Sequence, residues 1–320
     1  MNPICVSVII PAYNASATLA QALEALSKQN CFQPFEVIVV DDGSVDNTAD
    51  IVRSFTSVKY VRQENAGPAS ARNHGAQFAR GEFLAFTDSD CIPHEDWISQ
   101  LMAGFGQTQV GVVSGSYGIA NPDSWLARCI FKEILWRHTH LMPDFPNSFG
   151  SYNFCVRKNV FDKVGGFNTA YRTASGEDND LSYKITSSGW RIYFERKALV
   201  DHYHPTQVVK YLKEQFRHGF WRVKMYKDHP RMIKGDGYTY WKDIIEIPLA
   251  GCVLLCGLAG LSILLILLLF EIISAFIVTR CFFDGIFFSF LLLGRAFARM
   301  IGFSTGILSL LHQKVLKILQ

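Results

Sequence analysis

The sequence predicts an α/β fold: an open, mostly parallel sheet with flanking helices, followed by C-terminal membrane helices. Three observations predict it. Short β-branched runs alternate with helix-period segments through residues 5–90, the pattern of a parallel sheet covered on both faces. Polar clusters close three of those runs, at Tyr13-Asn14, Asp41-Asp42 and Asp88-Ser89-Asp90. Such sheets bind ligands at the carboxyl ends of their strands. Finally, residues 248–270 carry no charged side chain, and crossing a hydrocarbon core takes about 20 apolar residues.

Each element has its own signal. "CVSVII" (5–10) reads as a strand stopped by Pro11, and residues 15–29 as a helix with Leu19, Leu23 and Leu26 on one face. "FEVIVV" (35–40) is a continuous apolar run, as in a strand buried on both faces. It ends in the turn Asp41-Asp42-Gly43-Ser44, before a helix near Thr48–Phe55. A third strand is expected at 57–63, a glycine-containing loop and helix at 64–79, and a fourth strand at 82–88. After Pro93 the alternation lapses. Residues 123–141 read as an amphipathic helix, 150–168 as strand, helix and turn, 176–189 as a helix with an acidic first turn, and 190–200 as a strand.

The C-terminal third differs in character. Residues 207–234 hold eight Lys/Arg against two acids, interleaved with Tyr211, Phe216, Phe220, Trp221 and Tyr226. That mixture beside an apolar run reads as an interfacial helix on an anionic membrane surface. A second crossing is expected at 272–293, interrupted by Arg280 and Asp284, whose spacing lets them pair on a helix. Residues 294–311 place Arg295 and Arg299 on one face, as in an interfacial helix. Lys314 and Lys317 predict a cytoplasmic C-terminus, hence two crossings. The expected division is a catalytic domain at 1–205, a basic aromatic segment at 206–246 and a membrane region at 247–320.

Composition narrows the function. A net charge of +3 gives no reason to expect nucleic acid as a partner. The N-terminus lacks the positive n-region of a secretory signal, and the eight cysteines show no CxxC spacing. Both fit a reduced, cytoplasm-facing catalytic part at an inner membrane. Asp88 and Asp90 end the fourth strand one residue apart. In an extended chain they share a side, and two convergent carboxylates either repel or hold a cation. The plainer alternative is a turn before Pro93, since Asp and Ser favour turns.

These residues together resemble a family 2 glycosyltransferase of GT-A fold. The resemblance rests on "SVIIPAYNA" (7–15), "VIVVDDGSVDNT" (37–48), "NAGPASARNHG" (65–75), "FLAFTDSDC" (83–91), "GGFN" (165–168) and "GEDNDLSYKI" (176–185). It covers roughly residues 5–230 and implies an inverting, metal-dependent transferase using a nucleotide sugar, with UDP-sugar favoured. By resemblance Asp88-Ser89-Asp90 is the DXD motif. Asp88 and Ser89 then lie on the ribose or metal side, and Asp90 contacts a divalent cation, Mn2+ or Mg2+. Pro11, Tyr13 and Asn14 would meet the base, Asp42 or its substitute Asp41 the base or ribose, and Arg72 the base or diphosphate.

An acceptor alcohol needs a general base. The resemblance assigns this to Asp178, with Glu177 in support and Asp180 as fallback. Acids at a helix start are also favoured by the dipole alone. His202 and His204 follow a strand, and one of them, His204 first, is a candidate further metal ligand. Related enzymes carry a Gln-x-x-Arg-Trp motif where this chain reads "EQFRHGFWR" (214–222). Gln215, Arg217 and Trp221 are therefore assigned to diphosphate or acceptor, and the altered spacing argues against a processive polymerase. The membrane tail resembles that of members acting on lipid-linked saccharides or lipids. Two further readings stay open: transfer directly onto a polyprenyl phosphate, and a non-catalytic membrane-bound nucleotide-sugar-binding module.

Overall fold

A computed structural model describes residues 4–171, 173, 175–235 and 241–319, excluding the side chains of Lys234, Trp241 and 313–319. Lys314 and Lys317, read as marking the C-terminal orientation, therefore have side chains outside the described residues. The chain divides into two compact units. The first comprises residues 1–120 and 142–203, the second 121–141 and 204–320.

The first unit is built on one eight-stranded sheet. Its strands are β1 (Val6–Ala12), β2 (Phe35–Asp41), β3 (Val58–Arg62), β4 (Phe83–Thr87), β5 (Cys91–Pro93), β6 (Val110–Ile119), β7 (Asn153–Arg157) and β8 (Arg191–His202). Their order across the sheet is β3-β2-β1-β4-β7-β6-β8-β5. The first four run parallel. β7 is antiparallel to both its neighbours, and β5 is antiparallel to β8. Helices α1 (Leu19–Ser27), α2 (Thr48–Arg53), α3 (Pro68–Phe78) and α4 (Trp97–Gly104) connect the strands. Val8, Ile10, Val39 and Ala85 on one sheet face pack against Leu19, Leu23 and Trp97, while Ile9, Leu84 and Phe86 on the other pack against Ala69 and Ala76. Alternation along the strand thus feeds two cores.

β1 does not stop at Pro11. It pairs with β2 through Ala12, whereas its pairing with β4 ends at Ile9. The Ala12 carbonyl accepts from the Asp42 N–H on the β2 side, so Pro11 faces the β4 side, beyond the last pair. There its missing N–H breaks no ladder bond.

The second unit is helical. It contains α5 (Trp125–His140), α8 (Val208–Asp228), α9 (Trp241–Leu255), α10 (Leu258–Thr279) and α11 (Phe282–Leu319); α6 (Lys158–Lys163) and α7 (Glu177–Ser187) belong to the first unit. The apolar run at 248–270 is not one span. The helix breaks at Cys256-Gly257, where Gly257 takes φ 53°, and restarts at Leu258. Among the described residues, two helical stretches are long and apolar enough to cross a membrane: Leu258–Thr279 and Phe282–His312. At 22 residues the first measures about 33 Å at 1.5 Å per residue, close to a hydrocarbon core of about 30 Å.

Arg280 and Asp284 do not pair with each other on one helix. Arg280 ends α10 in the left-handed region at φ 49°, and Asp284 accepts from Lys132 at 3.0 Å. Arg295 and Arg299 do not form an interfacial stripe either. Arg295 is buried and donates to Glu133 at 2.7 Å, and Arg299 reaches Glu246 at 2.6 Å and Asp243 at 3.0 Å. Arg137 joins Glu133 to Asp243, and Lys242 meets Glu271 at 2.6 Å. Four cations thus face four carboxylates in this network, a balance that buried ions require.

Candidate active site

The carboxyl ends of β2, β1 and β4 lie side by side in the sheet order, which gathers the three polar clusters. The first two clusters are laced together. The Asn14 N–H donates to the Ser44 hydroxyl at 2.9 Å, the Asn14 Oδ1 accepts from the Val45 N–H at 2.9 Å, and Ala15 N–H donates to Thr48. Asn14 takes φ 49°, a conformation its short polar side chain tolerates. Tyr13 is left 53% exposed beside it, and Pro11 is half-buried.

Asp41 and Asp42 are both buried, with different partners. Asp41 accepts from the Ser44 N–H at 2.7 Å and the Tyr60 hydroxyl at 2.6 Å. Asp42 accepts from the Ala66 and Gly67 N–H groups at 2.9 Å each and from Gln63 at 2.7 Å. It therefore fixes the loop that enters α3 at Pro68. That loop aims Arg72 and Asn73. Asn73 clasps Phe167 of "GGFN", donating to its carbonyl at 2.8 Å and accepting its N–H at 2.9 Å.

Arg72 is 2% exposed and joins two distant segments. It donates to Asp88 at 2.7 Å and to Glu177 at 3.2 Å. Its guanidinium also lies 5.4 Å from the Phe167 ring centroid, and its Nε has no hydrogen-bond partner among the described residues. The strand end at Asp88 and the acidic start of α7 thus share one buried cation.

Asp88 and Asp90 meet different partners. The extended strand ends at Thr87, and the Cys91 N–H closes a turn on the Asp88 carbonyl at 3.1 Å. The period-two rule fails inside a turn, so Asp88 faces Arg72 while Asp90 approaches the His202 Nε2 at 3.5 Å. Ser89 sits half-buried in the turn between them. Asp90, Cys91 and His202 bring ligand atoms within 4.8 Å of one another. Burial, with the neighbouring Asp90 and Asp88 charges, holds the Cys91 thiol well above its usual range. A protonated thiol is a poor ligand, so the carboxylate and the imidazole are the donors that fit a divalent cation.

On α7, burial first and the Asp178 charge second raise Glu177 to about 7, against the opposing pull of Arg72. Burial also raises Asp178, although its carboxylate accepts the Asn179 N–H at 2.8 Å, and Arg72 and the Ser151 amide favour its charged form. Asp180 is buried beside Lys184 at 2.7 Å.

Of the remaining sequence candidates, His204, Gln215, Arg217 and Trp221 lie in the second unit and His202 in the first. His204 pairs through its backbone with the Asn121 side chain, and its ring lies 6.3 Å from Phe131. His202, the last residue of β8, is the imidazole beside Asp90. Gln215 is buried on α8 and accepts from Arg299 at 2.9 Å. Arg217 is exposed on the same helix, and the Trp221 ring packs edge-on to Phe220. Tyr117 and Tyr152, whose rings lie 5.3 Å and 6.5 Å from that of His202, carry no motif signal in the sequence; a glycine two residues before Tyr152 is the one local cue.

An α/β sheet of this order with acidic strand ends is that of a GT-A-type glycosyltransferase. Residues 7–165 match glycosyl transferase family 2, and this segment is a domain of that family. The glycosyltransferase AglE of Haloferax volcanii is 29% identical over 228 residues, covering 69% of this chain and 74% of that protein. Validoxylamine A glucosyltransferase of Streptomyces hygroscopicus is 31% identical over 226 residues, covering 60% of this chain. This chain spans about half of that relative's length, 54%. A solved mannosyltransferase, PcManGT from Pyrobaculum calidifontis in complex with GDP-Man and Mn2+, shares the fold. Its TM-score is 0.61 at 18% identity, with 96% of this chain and 88% of that chain covered.

Proposed function

We propose that this glycosyltransferase moves a sugar, with inversion, from a nucleoside diphosphate sugar to a hydroxyl of a lipid-linked saccharide or lipid. A UDP-sugar is the favoured donor. The observation that carries the reading is Arg72, which ties the Asp88 turn to Glu177 within one buried cluster. Asp178 is the base that takes the acceptor proton, Glu177 holds Arg72 and the local field, and Tyr13 offers an exposed ring for the base. Asp90 and His202 would hold a divalent cation, Mn2+ suiting this oxygen and nitrogen pair better than Mg2+. When bound, such an ion offsets the charge of a departing nucleoside diphosphate. Support from relatives is that PcManGT was solved with GDP-Man and Mn2+.

The lipid acceptor is supported by the second unit. Two helices there are long and apolar enough to cross a membrane. Ile247, Leu254, Leu255, Met300 and Phe303 help line a cavity of about 650 Å3, and α8 presents basic residues with exposed Val208 and Val209. These fit a catalytic domain on the cytoplasmic face of an inner membrane, where nucleotide sugars are available. A second acceptor class is a polyprenyl phosphate, which is already ionised and needs no base.

The test uses the full chain in lipid nanodiscs with Mn2+ and a panel of nucleotide sugars, detecting released nucleotide. One donor should be slowly hydrolysed, and EDTA should stop it. With a hydroxyl acceptor Asp178→Asn should lower transfer by about 10²–10⁴-fold. Transfer that survives this change would select the phosphate acceptor. Donor hydrolysis indifferent to EDTA would refute the metal assignment.

A further inference from the structure

Three consecutive residues, Ser151, Tyr152 and Asn153, reach three different parts of the candidate site. The Ser151 backbone amide acts electrostatically on Asp178, favouring its charged form. The Tyr152 ring stacks on Tyr117 at 3.6 Å between centroids and 12° between planes. Both rings meet the His202 imidazole edge-on, Tyr117 at 5.3 Å and 70°, Tyr152 at 6.5 Å and 66°. Asn153 is fully buried and anchors the segment, donating to the Ser116 and Ala198 carbonyls at 2.9 Å each and accepting from the Trp97 indole at 2.8 Å.

The ring position depends on Gly150. A Cβ there would overlap the Tyr152 ring, so the glycine leaves the space into which the ring folds. Tyr117 is on β6, whose register with β8 pairs it with Val200, two residues before His202. The tyrosine stack is therefore held from both sides, by a strand and by the Gly150 turn. Both tyrosines are only half-buried, which distinguishes them from ordinary core aromatics such as Phe86 and Phe154.

We propose that the stacked pair of Tyr117, the nearer ring, and Tyr152 behind it positions the His202 imidazole, fixing its plane against Asp90. This rests on the reading of Asp90 and His202 as the cation-holding pair. An imidazole without a wall samples several orientations, and only some direct Nε2 toward the Asp90 carboxylate. Outer-shell partners of ligating histidines commonly change metal affinity by about 10–100-fold when removed; an aromatic wall belongs at the lower end of that range.

The experiment titrates Mn2+ into the full chain in detergent, with saturating UDP and separately GDP, following the free-ion EPR signal. Pulsed EPR of the bound ion then reads nitrogen coupling from the imidazole. His202→Ala should abolish that coupling and weaken binding. Tyr152→Leu should weaken binding about 10-fold and broaden the nitrogen coupling, while Tyr152→Phe should retain both. Gly150→Ala displaces the ring without altering it and should match Tyr152→Leu; Tyr117→Leu provides a third perturbation, each checked by its unfolding midpoint. Wild-type affinity and coupling in folded Tyr152→Leu or Gly150→Ala, with loss in His202→Ala, overturn the positioning role alone. Equal binding by wild type and His202→Ala overturns the metal reading beneath it.

Discussion

A guanidinium enclosed by two carboxylates makes each group depend on the others. Removing Arg72 leaves the Glu177 carboxylate buried without its cation. Breaking such a pair costs about 3–5 kcal/mol, and Arg72→Ala should lower stability by that order in denaturant unfolding while lowering turnover. Arg72→Lys should recover charge but not both contacts, because an ammonium cannot match the fork. The acid pair also makes a pH prediction. Glu177 has its folded-state value raised from 4.5 to about 7, so the native state binds the extra proton between those values. Its contribution to stability is full below about 4.5 and is lost as pH rises toward 7. Unfolding midpoints of Glu177→Gln against wild type should diverge over that window, the wild type falling relative to the variant. Parallel curves would sink the assignment. The same residues show what was legible in the sequence. Asp88 and Asp90 stand out by motif and strand position, yet their separate partners depend on a turn that spacing cannot show. His202 and His204 look equivalent two apart, but β8 ends between them, at His202.

Helix contacts in the second unit turn on small residues. A Cβ at Gly302 would overlap the Phe216 carbonyl, one at Gly306 would press on the Phe220 carbonyl, and one at Gly219 would overlap the Arg299 carbonyl. α8 and α11 thus cross backbone to backbone. A Cβ at Gly294 would instead meet only Leu212 methyls, at 3.6 Å. Gly→Ala normally favours a helix interior by about 1 kcal/mol. Gly294→Ala should therefore leave the thermal midpoint unchanged or raised, whereas Gly302→Ala should lower it. A rise in both would mean the crossing is looser than described. At this scale most strands and helices of the first unit were legible, because hydrophobic period and turn residues are local signals. The β1 extension through Pro11 was not, since it depends on where β4 stops pairing. The break at Cys256-Gly257 was hidden inside an uninterrupted apolar run, where hydropathy carries no information about backbone direction.

The order of the chain does not follow the order of its compact units. α5 lies within the sequence of the sheet unit but belongs to the helical one. Its Leu126, Cys129 and Ile130 pack with Tyr211, Ala275, Phe288, Leu291 and Leu292, and its Glu133 and Arg137 are neutralised by Arg295 and Asp243. Burial raises Glu133, but Arg295 and Arg137 more than offset this and hold its carboxyl well below the usual range. A linear reading cuts at 205 because composition changes there; it has no means of detecting a helix whose partners lie more than 80 residues later. A catalytic fragment ending at 205 would therefore retain α5 with an apolar stripe and with the Glu133–Arg137 pair stripped of its Arg295 and Asp243 partners. Expressed alone, residues 1–205 should be largely insoluble or dye-binding, with far-UV helix content retained. Replacing 121–141 by a short polar linker removes that surface and should restore a monodisperse fragment by size exclusion. The full chain with Glu133→Gln and Arg295→Met together should unfold closer to wild type than Arg295→Met alone, because the double change leaves no ionised Glu133 without its Arg295 partner. If residues 1–205 prove monomeric and stable without that replacement, α5 does not depend on the helices that follow it, and the division into two interleaved units fails.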